Sequence, residues 1–171
     1  MKKRMKGFTL VELIVVIAII GVLAAILVPS MMGYVKGSRL KTANSNAKLV
    51  YTSVSTIMTD KETQGKLDLT KLPSGVIDCT ATQTGEYEKA IADALAENGS
   101  AAGSAMVATD TINGRDDALV AFWSGDDGIA AGDAAANNIY GQYPDPCGDY
   151  NTFKASKATF GKYCDNWTTT P

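Results

Sequence analysis

Histidine is absent from the 171 residues of this sequence, and with it go the commonest general base and the commonest side-chain metal ligand. There is no Gly-x-Ser-x-Gly turn to expose a nucleophile and no Gly-rich phosphate loop, so acyl and phosphoryl transfer lack their usual scaffolds. The adjacent acids Asp116 and Asp117 fall in a strand-like stretch, where neighbouring side chains point to opposite faces and make a poor acid/base pair. An enzyme is therefore the least supported class. Cysteine is scarce and odd in number, with only Cys79, Cys147 and Cys164. In a chain sent out of the cytoplasm, that count suggests one disulfide and one spare thiol. Positive charge is scarce beyond Lys66. From Leu67 onward six Lys/Arg face fifteen Asp/Glu, whereas ten face three before it, within a net charge of -2. An acidic body argues against non-specific nucleic-acid binding. The same polarity suits like subunits stacking positive flank against negative face, with a plainly solvated surface as the alternative.

Charge is missing altogether from Leu13 to Val35, a run of 23 residues. As a helix it reaches about 34 Å, enough to cross a hydrocarbon core of about 30 Å. Lys2, Lys3, Arg4 and Lys6 precede it and should hold the N-terminus in the cytoplasm, placing the chain beyond Val35 outside. A secretory signal would need a small-residue cleavage site after a shorter apolar core, and Glu12 inside that core disfavours it. A plain single-pass anchor fits length and charge but leaves Glu12 unexplained, because an ionised carboxylate at membrane depth costs a few kcal/mol or more. Cutting the Gly7-Phe8 bond would create a partner, an α-amine about one helical turn from Glu12. The carboxylate also favours the positive end of its own helix. Between chains, such a pair fixes register well, because any slip leaves a charge alone. The acid is tolerable if the helix is destined for a bundle of identical helices.

The stretch Gly7-Phe8-Thr9-Leu10-Val11-Glu12-Leu13, behind a short basic leader and ahead of a long apolar run, resembles the N-terminal motif of type IV prepilins, shared with the pseudopilins of type II secretion. The resemblance implies that residues 1–7 are a leader, cut after Gly7 by a membrane prepilin peptidase that methylates Phe8. It implies that Glu12 guides the subunit into a growing helical homopolymer on an assembly platform. Residues 8–35 would first anchor the subunit in the cytoplasmic membrane and then pack in the filament core. Gly21 and Pro29 match the family's helix-weakening positions; physically, proline removes an N–H and clashes with the preceding turn, and glycine adds backbone freedom. The chain is thus expected to be a major-type pilin of a surface fibre serving adhesion or motility. The alternatives are a pseudopilin with a calcium loop and a membrane-anchored adhesin that does not polymerise. The aromatics, 8% of residues and scattered, set aside a conducting fibre.

Residues 36–171 form the expected globular domain, including the second half of the long helix. Leu40, Ala43, Ala47, Val50, Val54 and Ile57 recur at steps of three and four, one apolar stripe that should pack on a sheet. The helix should leave through Thr59-Asp60-Lys61 and end at Gln64-Gly65. A short extended piece is expected around Val76–Cys79 and a helix over Glu86–Glu97, stopped by Asn98-Gly99. Strands are expected over Ala105–Thr111, Ala118–Trp123 and Asn138–Tyr143, the first two joined at Asn113-Gly114. The fold class is therefore α+β: a long N-terminal helix, membrane-spanning in its first half and amphipathic in its second, packed on an antiparallel sheet. Three disulfide pairings are open. The pilin resemblance favours Cys147–Cys164, which closes a loop of sixteen residues and leaves Cys79 as a buried small hydrophobe. The Gly-rich loop after Trp123 holds Asp126, Asp127 and Asp133, oxygen ligands suited to Ca²⁺. It is similar to the calcium loop of major pseudopilins, but it carries Asn137-Asn138 where that loop has acids. A solvated acidic turn is the alternative, and no other cofactor is expected.

Overall fold

The computed structural model describes residues 9–73, 75–112, 115–125, 139–144, 146 and 148. In chain order they form helix α1 (Leu10–Thr63), a 3-10 turn (Leu69–Lys71), strand β1 (Ile77–Asp78) and helix α2 (Glu86–Leu95). A second 3-10 turn (Ala96–Ala101) then leads to strands β2 (Ser104–Ile112), β3 (Arg115–Ser124) and β4 (Tyr140–Tyr143). The chain falls into two compact units, one ending at Lys36 and the other beginning at Gly37.

Each end of α1 has a local cause. Thr9 precedes its first turn and Glu12 lies within it. At the other end Gly65 takes φ +65°, a left-handed conformation that glycine adopts without strain. There the Lys66 N–H reaches the Lys61 carbonyl at 2.8 Å and the Gly65 N–H reaches that of Glu62 at 2.9 Å, the Schellman closure of a helix. Pro29 lies inside α1. The many Ser and Thr of its second half are accommodated by back-bonding: Thr42, Ser45, Ser53, Thr56 and Thr59 each donate a hydroxyl to the carbonyl four residues earlier, which satisfies groups that otherwise favour turns.

In the second unit the stripe is buried as its spacing requires. Leu40, Ala43, Ala47, Val50 and Val54 are buried, and Ile57 is half-buried against the core. They pack with Tyr87, Ile91 and Leu95 of α2 and with one face of the sheet, Ala105, Val107, Leu119, Ala121 and Trp123. The intervening residues Met106, Val120 and Phe122 gather with Leu40 and Tyr140 in a second cluster, so the two central strands bury side chains of both parities. The sheet runs β1-β2-β3-β4 and is antiparallel throughout.

Small residues set the distance between helix and sheet. Gly141 of β4 lies against the α1 backbone so closely that an added Cβ would stand 2.0 Å from the Ala43 carbonyl carbon and oxygen. Next to it the Gln142 N–H donates to Asn44 Oδ1 at 3.3 Å, and the Tyr143 ring meets Tyr51 edge-on with centroids 4.8 Å apart.

The α+β architecture and the order of elements are as expected, with differences at the edges. The second helix ends at Leu95 and winds on as a 3-10 turn to Ala101, past the expected stop at Asn98-Gly99. β2 and β3 extend beyond the expected runs to Ser104–Ile112 and Arg115–Ser124, because pairing carries polar residues into the ladder. The extended piece near Val76 proves to be an edge strand, Ile77 opposite Ala105 and Asp78 opposite Ser104. The turn residues Asn113-Gly114, the cysteines Cys147 and Cys164, and the loop acids Asp126, Asp127 and Asp133 with Asn137-Asn138 lie outside the described residues.

Candidate assembly site

Glu12 is the only charged side chain between Thr9 and Val35, and it is not bare. Its Oε2 accepts the Thr9 backbone N–H at 2.9 Å and the Thr9 hydroxyl at 2.7 Å, while the Glu12 N–H donates to Thr9 Oγ1 at 3.3 Å. This is a reciprocal capping box, in which the side chain at the helix start and the carboxylate three residues on satisfy each other's orphan donors. The Thr-x-x-Glu spacing is visible in the sequence; reading Glu12 only as an intramembrane acid awaiting a partner overlooks it. The box aims the carboxylate back toward the chain's N-terminal side, where the helix dipole is positive. Phe8 and Gly7 lie outside the described residues.

Beyond Thr9, the helix surface around this carboxylate is apolar and outward-facing. Leu10 is 72% exposed and Ile26 69%, with Leu13, Ile17 and Ile20 each more than half exposed. In water that much apolar area would be strongly unfavourable at about 25 cal/mol per Å², so this surface is built for lipid or for other helices. Among the described residues this helix is the one long and apolar enough to cross a membrane. No Cβ added at Gly21 would meet anything within 4 Å, so no contact among the described residues requires that glycine.

The described part of the second unit offers no chemistry to set beside it. No group of three or more Cys, Asp or Glu could hold a metal ion among the described residues. Cys79 is buried and unbonded to another cysteine, its thiol 3.6 Å from the Ile77 carbonyl, and burial pushes its pKa up to about 11. A thiol so held stays protonated and inert at neutral pH. The buried Trp123 likewise has a structural partner, its indole N–H donating to the Ala102 carbonyl at 2.6 Å.

Fold and terminus together define a class: an α+β domain continuous with an apolar N-terminal helix that carries a single capped carboxylate. Comparison with known proteins agrees. A family model described as the prokaryotic N-terminal methylation motif matches residues 2–28. The fimbrial protein EcpC of Eikenella corrodens is 30% identical over 148 residues, 86% of this chain and 93% of that protein. The type IV major fimbrial protein FimA of Dichelobacter nodosus is 36% identical over 78 residues, 46% of this chain and 50% of FimA. The type IV major pilin protein PilA of Myxococcus xanthus is 41% identical over 59 residues, 34% of this chain and 27% of PilA. The match thus spans half or less of the FimA and PilA lengths but nearly all of EcpC. No solved structure matches. The chain belongs to the type IV pilin family.

Proposed function

We propose that this chain is a structural subunit that polymerises into a type IV pilus at the cell surface, a fibre for adhesion or motility. Residues 1–7 are the leader, removed after Gly7 by a prepilin peptidase that also methylates the Phe8 amine. Residues 8–35 hold the subunit in the cytoplasmic membrane as a single span and later line the filament core. Residues 36–171 form the exposed domain. Assembly proceeds on a membrane platform, with further copies of the same chain as the main partner.

The observation that carries this reading is the one carboxylate, Glu12, set in a helix whose other side chains from Leu10 to Val35 are uncharged, nearly all apolar, and outward-facing. In a lone anchor that acid is a standing cost that one substitution would remove. In a polymer it meets the Phe8 amine of a neighbour, and the pairing selects a single register. Thr9 makes the geometry ready in advance, since both its donors hold Oε2 on the N-terminal side. The relatives' printed names, fimbrial protein and major pilin, support the same role.

Glu12→Ala tests it in cells that make the fibre. The variant is expected to insert and be cleaved normally, while filaments recovered by shearing fall below detection. Filaments at the wild-type level from Glu12→Ala alone would end the pairing argument.

A further inference from the structure

The amphipathic half of α1 is electrically lopsided. Residues 37–59 carry Arg39, Lys41 and Lys48 and no acid, whereas residues 60–97 carry eight acids and four lysines. Among the described residues few of these charges are paired. Glu86 meets Lys61 at 2.7 Å and Asp93 meets Lys89 at 2.7 Å, both within the acidic region itself. Among the described residues no ion pair engages Arg39, Lys41, Glu62 or Glu97, and all four are exposed.

Along α1 itself the basic end cannot reach Glu62. Arg39 and Glu62 are 23 residues apart on one helix, so about 35 Å separates them along its axis and about 140° around it. Arg39 also has a seat prepared beside it. With Ser38 and Thr42 it lines a groove of about 240 Å³ whose other wall is Trp123, Gly125 and Ile139. An exposed guanidinium beside the Ser38 hydroxyl suits a carboxylate; the Thr42 hydroxyl is already given to the Ser38 carbonyl.

We propose that the Arg39 end of one subunit docks against the Glu62 end of a second copy displaced along the helix axis, the guanidinium taking a carboxylate from Glu62 or its acidic neighbours. The inference rests on the filament reading and adds to it a second contact, outside the apolar helix. Two different patches at opposite ends, turned to different sides, make a heterologous contact. Such a contact repeats without closing and so builds an open fibre in place of a twofold dimer. Being exposed and charged, it contributes chiefly to register and to the rate of capture, and it weakens as salt rises.

The test is a charge swap in the full-length protein, read as sheared filament per cell beside the unassembled subunit left in the membrane. Arg39→Glu and Glu62→Arg substitute exposed positions, so the unassembled pool should persist. Each is expected to lower filament recovery by about tenfold or more, since like charges then face each other. The double variant R39E/E62R should recover most of the wild-type level, and wild-type filaments should shed subunits more readily in high salt than in low. Single variants at the wild-type level, or a double variant as poor as the singles, overturn the contact while leaving the filament reading standing. Absence of filaments from the wild-type chain itself overturns both.

Discussion

Placing a methyl group at Gly141 should loosen the joint between helix and sheet. A Cβ there would stand 2.0 Å from the carbonyl carbon and oxygen of Ala43 and 2.3 Å from the amide nitrogen of Asn44. Carbon atoms rest at about 3.5–4.0 Å, and the obstructing atoms are backbone, so no side chain can swing aside. Helix and strand must part by more than about 1 Å, at an overpacking cost of about 1–3 kcal/mol. The hydrogen bond from Gln142 N–H to Asn44 Oδ1, already 3.3 Å long, goes with it, about 1 kcal/mol more for a buried donor left unmatched. Gly141→Ala should therefore destabilise the domain by about 3 kcal/mol, a large part of the ~5–15 kcal/mol that holds a typical domain together. At about 3 °C per kcal/mol for a domain of this size, the melting temperature should fall by about 10 °C. The assay is thermal unfolding of the full-length protein in detergent, followed by tryptophan fluorescence, for which the buried Trp123 is a natural reporter. Gly37→Ala is the control of opposite sign. It lies within α1 with nothing inside 4 Å of an added Cβ, so it should raise stability by about 0.5–1 kcal/mol. A Gly141→Ala melting temperature at or above wild type would refute the close approach of β4 to α1.

Thr9→Ala removes the hydroxyl that holds Glu12 Oε2 and leaves the backbone N–H in place; filament yield by shearing should fall several-fold yet stay above that of Glu12→Ala. Thr9→Ser, which keeps the hydroxyl, should restore it, and equal yields from all three would discount the capping box. Cys79, buried and with its pKa pushed up to about 11, should resist iodoacetamide at pH 8 in the folded protein and react once urea unfolds it. Because the folded state holds that proton more tightly, this thiol's contribution is fully present below the ordinary thiol pKa and declines as pH climbs toward 11. Urea midpoints that stay flat across that alkaline window in wild type but not in Cys79→Ala would contradict the assignment. Trp123→Phe strips the Ala102 carbonyl of its 2.6 Å donor and should cost about 1–2 kcal/mol in a urea titration read by circular dichroism.

The periodic parts of the chain were legible from sequence, and for a physical reason. Leu40 to Val54 repeat at helical spacing because one face must be buried, and the unbroken apolar run Leu119–Trp123 suits a strand with both sides covered. The boundaries read less well. The polar ends of β2 and β3 are held by their partner strand and carry no apolar signal of their own. The extended piece around Val76–Cys79 is legible, but its pairing as an edge strand at Ile77–Asp78 is set by β2. Gly141 reads as a loose position in a strand until Ala43 is found against it. At the candidate assembly site the sequence shows the unusual acid and the apolar run around it. The Thr9 bonds are also there to be read, in the spacing of Thr and Glu, but a charge in a membrane helix draws attention past its nearest neighbour.

Mass spectrometry of the subunit sheared from its native cell surface, intact and as its N-terminal peptide, bears on processing and assembly at once. Residues 1–7 should be gone, the chain should start at Phe8 with a methylated amine, and the intact mass should lie about two units below the reduced value, the signature of one disulfide. Surface-derived protein that still begins at Met1, or a chain found only in membranes with its leader in place, would contradict the filament reading and return Glu12 to the status of an unexplained charge.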